Sequence, residues 1–97
     1  DLFLGRLGFD DVFALRVKGD SMIDAGILNG DIAIIKKRPN ADNNDIVAAL
    51  LDNNEVTLKR LRSKAGKFHL EAANLNYAPI FEEFKVIGKL ITVIRKY

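Results

Sequence analysis

Short apolar segments rich in Val, Ile, Leu and Phe recur along this chain, broken by clusters of Gly, Asn and Asp. That spacing limits the fold more than any other feature, because it is the pattern of β-strands joined by turns and not of packed helices. The segments Val12–Lys18, Ile32–Lys37, Ile46–Leu51, Val56–Arg62, Phe68–Ala72 and Phe84–Arg95 are the predicted strands. Between them stand Asn29-Gly30-Asp31, the Pro39 to Asp45 run, Asp52-Asn53-Asn54 and Lys64-Ala65-Gly66-Lys67, residues that tolerate turn dihedrals. IVAALL and VTLKRL, separated by DNNE, have the spacing of a hairpin. Gly88 in the long last segment marks a bulge or bend. Only Ser21–Ala25 reads as helical, for about one turn, with Asp20 or Ser21 as N-cap. The expected fold is mostly β: a compact, curved, antiparallel architecture.

At 97 residues with 48% hydrophobic content, the chain is expected to form one domain. It contains no cysteine, which excludes disulfides and thiolate metal sites. No apolar run approaches the roughly 18 residues that span a bilayer. Residue 1 is not methionine and no charged-then-apolar leader opens the chain, which therefore reads as a piece of something longer. The net charge of +2 is too small to argue for nucleic-acid binding by itself. Residues 1–50 hold 6 basic and 8 acidic side chains, and residues 51–97 hold 9 and 5. The basic excess is spread along alternating segments, as on a solvated face.

The chemistry centres on VKGDSMIDAGI, Val17 to Ile27. Ser21 there is either a turn residue or a nucleophile. A serine hydroxyl becomes a nucleophile only when a neighbour accepts its proton. Histidine is the common partner, but strand alternation puts His69 with Glu71 on a face opposite Phe68 and Leu70, so it reads as an exposed strand histidine. Lysine is the other candidate. Lys59 shares a face with Thr57 and Leu61. Burial disfavours the ammonium and lowers a lysine pKa. To be half neutral at pH 7, the pKa must fall by about three pH units, about 4–5 kcal/mol. Two readings of Lys59 follow: a base for Ser21, or a side chain whose stem packs while its head reaches water.

Four ordered blocks carry a resemblance: FALRVKGDSMIDAGILNGDIAII, DIVAALLDNNEVTLKRL, LEAANLNYAPI and VIGKLITVIRKY. Together they resemble the self-cleavage domain of the LexA-type repressors, whose relatives include UmuD and phage repressors. The resemblance implies a LexA and signal-peptidase-like β-fold, with one domain over residues 1–97 serving both autoproteolysis and dimerisation. It implies a serine–lysine dyad in which Ser21 is the nucleophile and Lys59 the general base, with the backbone N–H groups of Asp20 and Ser21 as the oxyanion hole. It implies no metal, no cofactor and no small-molecule substrate.

The same resemblance implies a soluble cytoplasmic repressor, bacterial or phage-encoded, that cuts itself when a RecA–single-stranded DNA filament triggers it in the SOS response. DNA would be met only through a separate amino-terminal region. A UmuD-like polymerase accessory subunit or a phage repressor is the alternative. The last strand, with Ile91, Val93 and Ile94, would supply an edge for a homodimer, or else finish the domain's own core. Neither Ala25-Gly26 nor Ala65-Gly66 reads as a scissile pair, since each suits a turn. The cleavage segment is expected before Asp1. Where the family carries glutamate-asparagine, this chain has Ala73-Asn74. GDSM also resembles the GDSL esterase signature, but no histidine follows His69 to complete that site. A signal-peptidase-like enzyme would call for a membrane anchor.

Overall fold

In a computed structural model, which describes the backbone of residues 2–6 and 11–96 and the side chains of 11–96, seven strands form a single antiparallel sheet. They are β1 (Leu2–Arg6), β2 (Val12–Arg16), β3 (Ile32–Lys37), β4 (Ile46–Leu51), β5 (Val56–Lys64), β6 (Lys67–Glu71) and β7 (Phe84–Ile94). The order across the sheet is β1-β2-β3-β7-β4-β5-β6. The mostly β, antiparallel expectation holds, and β3 and β4 have the predicted ends. β1 has no counterpart among the predicted strands.

Turn chemistry sets the local connections. The β5–β6 hairpin closes through Ala65 and Gly66, both at positive φ (52° and 78°). A two-residue turn with both central φ values positive matches the right-handed twist of the flanking strands. β7 threads between β3 and β4, so the last strand is central to the sheet and not its edge. Register shifts leave Ile87 unpaired opposite β4 and Ile91 unpaired opposite β3. Bulges of this kind increase local twist, which curves the sheet. Gly88 sits beside the first of them. A Cβ there would meet Ile35 Cγ2 and stand 2.7 Å from the Lys36 carbonyl oxygen, so only glycine lets β3 and β7 approach this closely.

Curvature gives the sheet two cores. Phe13, Leu15, Val17, Met22, Ile27, Ala33, Ile35, Ala48 and Leu58 make the larger one. Val47, Ala49, Leu51, Leu61 and Leu70 make the second. The two β4 faces serve different cores, with Ala48 in one and Val47 and Ala49 in the other, all three fully buried. A strand covered on both faces reads as a continuous apolar run, which is the character of IVAALL. β5 follows the same logic, with Leu58 in the first core and Leu61 in the second. Lys59, paired across the ladder with Val47, therefore enters a covered face.

Between β2 and β3 the chain makes a single 3-10 turn, Ile23–Ala25, which Met22 and Ile27 anchor to the larger core. The N-cap position is Met22, with no side-chain cap hydrogen bond. The expectation that Asp20 or Ser21 caps this turn is thus corrected. Both side chains are held elsewhere, the Ser21 hydroxyl by Lys59 and the Asp20 carboxylate by Tyr77.

Candidate active site

Lys59 is 9% exposed, and its amine meets three oxygens. Nζ lies 3.0 Å from Ser21 Oγ, 2.6 Å from Thr57 Oγ1 and 3.2 Å from the Leu58 carbonyl oxygen. β5 delivers the amine from a covered face, and the turn after β2 delivers the hydroxyl from a half-buried position. Thr57 is two residues before Lys59, so pleating puts both side chains on one face. Strand alternation places Thr57 there but assigns it no task. In the structure it is the closest partner of the amine.

The charge state of this lysine follows from its surroundings. Burial holds the Lys59 pKa below the usual lysine range, and the Glu55 carboxylate opposes that only through its charge at a distance. A neutral amine has two N–H donors and one lone pair. The Leu58 carbonyl can only accept, and Thr57 Oγ1 is in reach of the second N–H. The lone pair then faces the Ser21 O–H. Three neighbours satisfy the neutral form, with no carboxylate in contact among the described residues.

The N–H groups of Asp20 and Ser21 meet no protein acceptor among the described residues. They stand at the base of the hydroxyl, in a turn stitched by Gly19 N–H to Asn29 Oδ1 (2.7 Å) and Ile23 N–H to the Asp20 carbonyl (3.2 Å). Unengaged main-chain donors beside a nucleophile can receive a developing oxyanion. No cluster of three or more potential metal ligands occurs among the described residues.

His69 requires a correction. It is buried, at 8% exposure, and Phe68 is 55% exposed, so both depart from the expected faces, while Leu70 is buried as expected. The cause is non-local. Ile80 bridges to Leu70 on the outer side of β6, and Phe81 next to it stacks on the His69 ring with centroids 4.9 Å apart. Glu71 Oε2 holds His69 Nε2 at 2.7 Å. Its partners are thus Glu71 and Phe81, away from the Ser21 turn.

Of the three β7 residues, Ile91 and Ile94 are 56% and 55% exposed, whereas Val93 packs against the larger core. β7 pairs with β4 over Phe84–Lys89 and with β3 over Gly88–Ile94. Its last residues therefore have one paired side. Arg95 just beyond donates to both Asp31 carboxylate oxygens, Nε to Oδ1 at 2.8 Å and Nη2 to Oδ2 at 2.7 Å, and to the Gly26 carbonyl at 2.7 Å. This fork ties the end of β7 to the loop that follows Ser21.

With this geometry in place, comparison with known proteins places the chain. Residues 6–91 match the peptidase S24-like family. The chain belongs to that family. Among curated proteins, this S24-like chain is 48% identical over 100 residues to the LexA repressor of Gluconobacter oxydans, covering all of the chain and 42% of that protein. It is 51% identical over 88 residues to the LexA repressor of Clostridium botulinum strain Hall, covering 90% of the chain and 43% of that protein. The S24-like chain therefore spans less than half the length of these repressors, and it is a LexA-type domain by similarity over nearly its whole extent.

Two more residues reach the Ser21 turn: Asn74, which the sequence matches to the family's asparagine without assigning it a role, and Tyr77, which the sequence does not single out. Asn74 donates Nδ2 to the Asp20 carbonyl at 2.9 Å, and Tyr77 donates its hydroxyl to Asp20 Oδ1 at 2.7 Å. Both lie in the loop after β6, where no periodic pattern announces a contact.

Proposed function

We propose that this domain is a serine–lysine peptidase that cuts its own polypeptide upstream of residue 1. Ser21 is the nucleophile, Lys59 the general base, and the N–H groups of Asp20 and Ser21 the oxyanion donors. The observation that carries the reading is the 3.0 Å contact between the buried Lys59 amine and the hydroxyl of Ser21.

In this scheme Ser21 Oγ attacks the scissile carbonyl carbon while its proton passes to Lys59 Nζ. The carbonyl oxygen becomes an oxyanion held by the two N–H groups. Collapse breaks the C–N bond, and the Lys59 ammonium returns the proton to the leaving amine. Water, deprotonated by the regenerated amine, then releases Ser21 from the acyl intermediate and leaves a new carboxylate. Low polarity around Nζ matters twice. It lowers the Lys59 pKa and so favours the neutral amine, and it makes the transferred proton easy to give back.

The LexA relatives extend the proposal to a repressor whose self-cleavage is stimulated by a RecA–single-stranded DNA filament. Such a trigger acts by shifting the population in which the scissile segment occupies the site. DNA contact belongs to a region outside these residues, and the setting is the cytoplasm. No helix among the described residues is long and apolar enough to cross a membrane. Dimerisation through the open side of β7, with Ile91 and Ile94 exposed on it, completes the reading.

The test is self-cleavage at alkaline pH of the polypeptide that carries this domain and its upstream segment. Ser21→Ala and Lys59→Ala are each expected to lower the first-order rate by at least about a thousandfold, as loss of a nucleophile or base does elsewhere. A Lys59→Ala protein that cuts at the parent rate rules out the assigned base.

A further inference from the structure

We propose that Asn74 and Tyr77 are positioning residues that aim the Ser21 N–H at the oxyanion. The inference rests on the dyad reading above and adds to it the device that fixes the second half of the site.

The argument starts from one peptide unit. The Asp20 carbonyl and the Ser21 N–H belong to the same planar group, and in a trans peptide they point in opposite directions. Whatever grips the carbonyl therefore sets the direction of the N–H. Asn74 Nδ2 grips it from outside the turn at 2.9 Å, and Ile23 N–H from inside at 3.2 Å. Asn74 is itself oriented without ambiguity. The Asn76 N–H stands 2.9 Å from Asn74 Oδ1 and can only donate, so the amide nitrogen must be the end that meets Asp20. A donated hydrogen bond at the carbonyl also polarises the N–H across the same amide.

Tyr77 holds the other handle of the same residue, its hydroxyl on Asp20 Oδ1 at 2.7 Å. With the carboxylate pinned, residue 20 cannot rotate about its own backbone dihedrals without breaking this contact. The loop that carries both side chains is stiff. Tyr77 N–H returns to the Asn74 carbonyl at 3.1 Å, and the Leu70–Ile80 bridge closes its base through two hydrogen bonds of 3.1 and 2.8 Å. Two further contacts lock loop to turn, Asp24 N–H to the Ala73 carbonyl at 2.8 Å and Ala73 N–H to Met22 Sδ at 3.3 Å. The Ser21 turn is only partly buried and lacks a side-chain cap, so this loop supplies the rigidity that the 3-10 turn does not. A donor misaimed by about 1 Å loses on the order of a hundredfold in rate, which sets the scale of the effect.

The experiment measures first-order self-cleavage across pH in the polypeptide that carries this domain and its upstream segment. Asn74→Ala is expected to slow cleavage roughly 10–100-fold and Tyr77→Phe roughly 3–10-fold. The apparent pKa of the rate profile should stay where it is in the parent, because neither change touches the surroundings of Lys59. Tyr77→Phe should have no further effect in an Asp20→Ala background, where its partner is already gone. Backbone amide order parameters give a readout apart from activity, with the Ser21 N–H moving from about 0.85 toward 0.6 in Asn74→Ala. Parent-like rates in both single variants, or a slowed rate with a displaced pKa, overturn the inference. Tyr77→Phe removes one half-exposed oxygen and carries the test if Asn74→Ala does not fold. Ser21→Ala and Lys59→Ala run alongside. Cleavage surviving in those controls overturns the dyad itself, whereas dead controls beside parent-like Asn74→Ala and Tyr77→Phe overturn the positioning role alone.

Discussion

Lys59 Nζ stands 3.0 Å from Ser21 Oγ although 38 positions separate the two residues. One comes from the covered face of a strand, the other from an irregular turn, and nothing local to either implies the meeting. The sheet brings them together because β4 and β5 are buried on both faces, and among the described residues the Lys59 amine hydrogen-bonds Ser21, Thr57 and the Leu58 carbonyl.

In the proposed mechanism Lys59 links activity to pH. Its pKa in the folded protein lies below the usual lysine range because it is buried. Between the folded and unfolded values the unfolded chain binds the extra proton, so this group makes stability rise with pH, and its penalty is full below the folded pKa. Cleavage should speed up as pH rises through the folded value and then level off. Lys59→Met is expected to be inactive, to melt higher than the parent near neutral pH, and to lose that advantage as pH approaches the ordinary lysine range. Thermal melts across pH, beside the rate profile, check both signs.

Arg95 neutralises the almost fully buried Asp31 (2% exposed). The Arg95 hydrogen bonds, helped by the Leu28 N–H and opposed by burial, hold the Asp31 pKa below the usual carboxylate range. The stability contributed this way is present above the unfolded value and is lost as pH falls through the folded one. Arg95→Met leaves a buried carboxylate unpaired and is expected to destabilise by about 3–5 kcal/mol at pH 7. Without the guanidinium the Asp31 pKa should rise, so the variant's deficit should shrink on mild acidification. Urea denaturation at pH 7 and pH 5 measures the difference.

Gly88→Ala should destabilise by about 1–3 kcal/mol, the scale of overpacking in a close-packed interior. The new methyl meets the Lys36 carbonyl as well as Ile35, and backbone cannot rotate away as a side chain can. Pairing the change with Ile35→Val should recover only part of the loss, since the carbonyl contact remains. Equilibrium unfolding of the single and double variants decides this.

The proposed dimerisation through β7 is best probed at Ile91 and Ile94, whose side chains are exposed. Val93 packs against the core, so a charge there would unfold the domain before it informed on assembly. Ile91→Lys with Ile94→Lys is expected to give monomers in analytical ultracentrifugation with an unchanged melting temperature at low protein concentration. A variant that stays fully dimeric rules this surface out.

Strand positions and turns were legible in the sequence because they rest on local rules. β-branched runs pleat, and residues such as Asn54, Ala65 and Gly66 sit at positive φ where the chain reverses. The sequence by itself therefore determined a curved antiparallel sheet and a serine in a turn. It also put a lysine among apolar neighbours. Tertiary structure alone decided which faces were covered and which distant groups met. Phe81 buries His69, and Tyr77 and Asn74 reach Asp20, because other segments fold over β6 and over the Ser21 turn. Pleat periodicity assigns a residue to a side of a strand. Whether that side faces water depends on chain far away, and no local pattern encodes it.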